Sequence, residues 1–121
     1  MAVLDVRDFA LANVVAPAQG VIQRFLYWLP GMAGVVELTG PLSVPTGVAL
    51  TLYVAWINSG QVVFTGHVDL SVTKPDGTTL TPAAVSGQDV VATPGNGAIP
   101  QFSPVLFDQA GAYSGRAVLN G

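Results

Sequence analysis

Glycine and proline decide what this chain can become. They occur 14 and 9 times in 121 residues and interrupt nearly every window of helical length. A proline inside a helix removes a hydrogen bond and clashes with the preceding turn, and an interior glycine costs about 1 kcal/mol. The best helical candidate, Asp5 to Val15, is short and ends before Pro17. The segments between the other breaks suit strands and turns.

The strand signals are specific. Val48 to Ile57 is rich in β-branched and aromatic residues, and Leu50, Leu52, Val54 and Trp56 share one face at period two. Asn58-Ser59-Gly60-Gln61 then reads as a turn. Val68, Leu70 and Val72 alternate with His67, Asp69, Ser71 and Thr73, the pattern of a strand with one solvated face. Lys74-Pro75-Asp76-Gly77 is the next turn: proline presets φ at its first corner, and Asp-Gly tolerates the rest. Thr78 to Thr81 resumes as a short strand. Pro82 to Pro100 is loop-rich, with one short strand near Asp89 to Ala92. Gln101 to Phe107 and Tyr113 to Leu119 are the last two strands. Six or so short strands with turn chemistry between them predict an all-β, antiparallel sandwich over residues 41–121.

Residues 1–40 read differently. Val21 to Leu29 is apolar on both faces and carries one charge, Arg24, before the Pro30-Gly31 break. Val35 to Leu38 follows. A strand apolar on both faces must be covered on both faces. Two readings are open: a core strand of the same domain, or an N-terminal arm or hairpin buried on a neighbouring subunit. Under the second reading Ile22, Phe25, Tyr27, Trp28 and Leu29 are interface candidates, because aromatic residues lead at interface cores.

Charge narrows the function. Only 9% of residues are charged, against 50% hydrophobic, and the net charge is −3. So few charges protect a surface poorly against association, and a partner is expected to cover part of it. One lysine and three arginines make no basic stripe, so nucleic acid is not an expected partner. The uncharged run from Leu38 to Gly66 is broken by Gly40, Pro41, Pro45, Gly47 and Gly60, so no membrane-spanning helix is expected. The first eight residues carry two acids and no basic lead-in, which does not read as a signal peptide. Synthesis in the cytosol is expected. No cysteine exists to form a disulfide or a thiolate metal site.

The stretch Phe107-Asp108-Gln109-Ala110-Gly111-Ala112-Tyr113 resembles the entry to strand F of immunoglobulin domains. The resemblance implies that Tyr113 is a tyrosine-corner residue whose hydroxyl bonds back to the main chain. Gly115 stands where immunoglobulins place a cysteine, and Trp56 is loosely like their core tryptophan. Val48 to Gly121 is also similar to small immunoglobulin-like proteins of bacteriophage particles. The likeness rests on Leu50 to Ile57, Val68 to Thr73, the Pro75-Asp76-Gly77 turn with Thr78-Thr79, and Gly111-Ala112-Tyr113. It implies a virion structural protein, foremost a capsid decoration module, that binds major capsid or other virion proteins and forms a homo-oligomer. A tail, baseplate or head–tail connector component is one alternative. A bacterial surface or carbohydrate-binding module is another.

Catalysis has little to stand on. His67 and Asp69 can form an oriented base, but no cysteine or G-x-S-x-G elbow supplies a nucleophile. One histidine cannot make a zinc site. Asp76, Asp89 and Asp108 could hold calcium only if their loops meet at one end of the sandwich. Pro94-Gly95-Asn96-Gly97 lacks the flanking strand and helix of a phosphate loop. No cofactor, catalytic residue or metal ligand is expected. Trp56, Pro75, Asp76, Gly77 and Tyr113 are expected to be structural, and Trp28, Tyr27, Tyr53 and Trp56 are the aromatics that a sugar platform would need.

Overall fold

The computed structural model describes residues 1–4, 10–13, 19–85 and 89–121, with 10–13 in backbone only. In chain order the strands are β1 (Ala2–Leu4), β2 (Ala10–Asn13), β3 (Gly20–Trp28), β4 (Val36–Glu37), β5 (Leu42–Val44) and β6 (Val48–Asn58). They continue as β7 (Phe64–Thr73), β8 (Thr79–Leu80), β9 (Val90–Ala92), β10 (Gly97–Ala98), β11 (Val105–Phe107) and β12 (Gly111–Asn120). The described residues contain no helix.

The strands form two sheets. The first runs β5-β1-β12-β7-β8, with β2 also on β12 and β9 also on β7. The second runs β10-β6-β3-β4, with β11 also on β6. All pairings are antiparallel except β1 and β2, which lie parallel to β12. The expected helix therefore fails at 10–13, where the backbone joins the β12 ladder. The rest of that candidate, 5–9 and 14–15, lies outside the described residues.

One core joins the sheets into a β-sandwich. From the first sheet come Leu4, Val44, Val68, Leu70, Val72, Tyr113, Ala117 and Leu119, and from the second Ile22, Phe25, Leu50, Leu52, Val54 and Trp56. Trp56 meets the Phe64 ring edge-on, with centroids 5.7 Å apart. Phe107 stacks on Tyr113 at 4.2 Å. The alternation read in the sequence appears in β7, where Phe64, Gly66, Val68, Leu70 and Val72 are buried and the residues between them are not.

The boundary expected at residue 40 does not divide the packing. β3 pairs with β6 from Gly20↔Asn58 to Trp28↔Thr51, with a bulge between Ile22 and Arg24. Ala2, Leu4, Ile22 and Phe25 belong to the same core as Trp56 and Tyr113. Of the two readings open for this segment, β3 takes the core-strand one. Ile22 and Phe25 are correspondingly buried inside the chain's own sandwich and present nothing to a neighbour. The physical reason is pairing: β6 carries apolar residues on one face along 11 residues, and β3 supplies the long partner strand beside it.

β6 also takes a second neighbour at very short range. A Cβ at Gly97 would lie 1.8 Å from the Trp56 carbonyl oxygen, so only glycine lets β10 close on β6 there.

Candidate functional site

Three polar clusters and two apolar surfaces are candidates. The first polar cluster lies where β7 turns into β8. Gly77 N–H bonds Lys74 O at 2.9 Å, and Lys74 N–H bonds Thr78 O at 2.8 Å. Gly77 has φ 90, a left-handed conformation that closes this hairpin without a Cβ penalty. Asp76 accepts from Thr78 N–H at 2.8 Å and from Gln109 Nε2 at 2.8 Å. Lys74 Nζ reaches Asp108 at 2.9 Å. Tyr113, fully buried, accepts from Gln109 N–H at 3.0 Å, four residues back along the chain. Its hydroxyl donates toward Asp108 at 3.4 Å.

The turn and the entry to β12 are thus clasped together. The Thr78 N–H holds the Asp76 carboxyl below the usual carboxylate range, and Gln109 assists. The Lys74 ammonium does the same for Asp108, and that bond raises Lys74 above its ordinary value. Every carboxylate here already has a protein partner. The cluster is a fastening between two turns.

The second polar cluster sits at the far end of β7. His67 Nδ1 lies 2.9 Å from Asp89, and Nε2 lies 3.6 Å from Asp69. Asn120 Nδ2 also bonds Asp69. Both ring nitrogens face carboxylates of the chain itself. Asp89 was the partner that spacing did not reveal. Its place beside His67 also separates it from Asp76 and Asp108, because β7 lies between them. The three acids therefore do not meet, and no group of three His, Asp or Glu among the described residues is placed to hold a metal ion.

The third polar cluster is buried. Asn58, with no exposed surface, donates to Val62 O at 2.8 Å and Ala92 O at 3.0 Å. Its Oδ1 accepts from Gly60 N–H at 2.9 Å. Its backbone bonds Asn96 O and Gly95 N–H. The side chain thereby satisfies three main-chain groups, while the Asn58 backbone holds the turn at 93–96, which is a bonded turn. The sequence marked Asn58 only as a turn former. What it missed was the burial, set by long-range partners.

The apolar surfaces remain. At one corner of the first sheet, Val62, Val63 and Val91 are 56%, 57% and 68% exposed. Val91 stands opposite Thr65 in the β7–β9 ladder, two residues on from Val63. The other surface is the outer face of the second sheet. Register places Val21, Arg24, Leu26 and Trp28 of β3 opposite Ile57, Ala55, Tyr53 and Thr51 of β6, on the face away from the core. Leu106 joins them opposite Ala49. Tyr27 and Leu29 pack instead against the core. Trp28 is the one interface candidate of the arm that projects outward. Its indole N–H donates to Met32 O at 3.1 Å, so the ring's polar edge is satisfied within the chain. A groove of about 330 Å³ between β8 and β11 is walled by Pro82, Ala83, Pro104 and Leu106 and holds no ionisable side chain.

These features define a small all-β sandwich whose three polar clusters bond within the chain and which also exposes apolar side chains. No protein-family model matches the chain, and no curated protein sequence matches it. No helix among the described residues is long and apolar enough to cross a membrane.

Proposed function

We propose that this chain is a virion structural protein, a capsid decoration module with an immunoglobulin-like body that acts by protein–protein contact. The observation that carries the reading is the exposed valine corner, Val62, Val63 and Val91, on a surface poor in charge. Large apolar side chains grouped in water favour a protein partner. The backward bond at Tyr113 supports the immunoglobulin-like body. A tail, baseplate or connector position uses the same chemistry.

Mass spectrometry and rebinding on purified particles test this. The chain is expected at a fixed ratio to the major capsid protein. Val63→Lys with Val91→Lys is expected to weaken rebinding about tenfold or more, the factor that 1.4 kcal/mol makes. Particles that lack the chain, or bind it no better than albumin, contradict the proposal.

A second reading, a carbohydrate-binding surface module, is favoured by one observation. Trp28 and Tyr53 are diagonal neighbours on the outer face of β3 and β6. Glycan titration followed by tryptophan fluorescence separates the readings, because quenching at Trp28 is expected only from a sugar platform.

A further inference from the structure

We infer that the outer face of the second sheet is the contact between two copies of this chain, packed face to face about a two-fold axis. The inference deepens the contact reading above and rests on it for biological purpose. Its test uses the purified chain alone, so it fails or stands apart from any particle.

Apart from Arg24, Glu37 and Thr51 the face is apolar. Val21, Leu26 and Trp28 of β3 lie beside Tyr53 and Ile57 of β6, with Leu106 at the rim. None of these belongs to the core or packs against it. The small residues of β6 on this face, Thr51 and Ala55, are both buried. Small side chains between larger ones let a second sheet pack at the ordinary sheet spacing of about 10 Å.

Two charges choose the occupant. Arg24 is on this face, and Glu37 stands opposite Leu26 in the β3–β4 pair, which puts it on the same face. Both are exposed, and neither has an ion-pair partner among the described residues. Arg24 lies two residues before Leu26 on β3 and Glu37 stands directly across from it, so the two charges are diagonal to each other. A two-fold axis lying in the interface plane, midway between them, sets each Arg24 over the Glu37 of the other copy. The same axis brings the two Leu26 side chains together. One arginine and one glutamate thus make two reciprocal pairs, which an isologous contact requires. A partner of a single charge sign would satisfy only one of them.

The area fits a reversible dimer. A nine-residue β3 spans about 30 Å, β3 and β6 together are roughly 10 Å wide, and the two-residue β4 adds little, so each copy offers about 300–350 Å². The pair would bury about 600–700 Å², below the usual range for specific complexes, which points to a weak association.

Sedimentation equilibrium across a wide concentration range tests this, with circular dichroism as the check on folding. The intact chain is expected to be a concentration-dependent dimer. Arg24→Glu alone and Glu37→Arg alone each oppose like charges and should raise the dissociation constant about tenfold or more. The double exchange Arg24→Glu with Glu37→Arg should restore it to within about threefold. That rescue separates a lost contact from a damaged fold. A chain that stays monomeric at every concentration overturns the inference. So does a dimer indifferent to both single exchanges, or a double exchange that fails to restore association.

Discussion

β7 and β3 are strands of similar length in the two sheets of one sandwich, and they end in different states. On β7 the inner face is buried, and the other face carries His67, Asp69, Ser71 and Thr73. Water completes that strand. On β3 the inner face is buried at Gly20, Ile22 and Phe25, yet Val21, Leu26 and Trp28 lie on the other. Water completes that strand poorly. A strand's inner face therefore reports the fold, while its outer face reports what the fold must still meet. The comparison moves attention from a detachable arm to one face of one sheet.

The hardest way to break the comparison is to remove β3. Deleting residues 1–32 takes away β1, β2 and β3, with Leu4, Ile22 and Phe25 from the core. Burial of each large side chain is worth about 1.5–3 kcal/mol, against a total stability of about 5–15 kcal/mol. The shortened chain is expected to lose its cooperative thermal transition, read by circular dichroism. A retained transition would return β3 to the status of an arm.

Next come matched inner-face truncations. Phe25→Ala on β3 is expected to cost about 3–5 kcal/mol and Leu70→Ala on β7 about 2–5 kcal/mol in denaturant melts. Comparable losses place both strands in one core. A cost below about 1 kcal/mol at Phe25 alone would break the equivalence.

The clasp that ends β7 gives a smaller effect with a definite sign. Tyr113→Phe removes the acceptor for Gln109 N–H and is expected to cost about 1–2 kcal/mol. Asp76 and Asp108 have lowered folded values, so their contribution is fully present above the unfolded carboxylate pKa of about 4 and is lost as pH falls through the folded values. Lys74 has a raised folded value, so its contribution is present below about pH 10.4 and is lost as pH rises through the folded one. Asp76→Asn should flatten the acid limb of a stability–pH curve. An unchanged limb would mean that the clasp is not coupled to folding.

The smallest effect sharpens the comparison most. In dilute solution Leu26→Ser on β3 and Ser71→Ala on β7 should each change monomer stability by no more than about 0.5 kcal/mol. At high concentration only the first should change the sedimentation profile. Equal behaviour would erase the distinction between the two outer faces.

Much of the framework was legible from local pattern. Alternation located β7, the Val48 to Ile57 run located β6, and Pro75-Asp76-Gly77 located the hairpin. Trp56 and Tyr113, expected to be structural, are both buried. What was not legible depended on distant partners. Val21 to Leu29 gave no alternation, so the sequence could not say which face was inward. The Ile22/Arg24 bulge then shifted the phase of its side chains. Asn58 looked like a turn residue because its bond to Ala92 comes from a segment 34 residues away. Asp89 was invisible as a His67 partner because 22 positions separate them in the chain. Residues 10–13 adopt strand because the β12 ladder is available, which local propensity does not record.

The outer face of β3 can be interrogated directly through its tryptophan. The chain has two, Trp56 buried in the core at 2% exposure and Trp28 on the outer face. In a Trp56→Phe variant, acrylamide quenching reports Trp28 alone. The account predicts ready quenching in dilute solution and marked protection as the chain is concentrated. Quenching that is the same at every concentration, whether open or shielded, would contradict it.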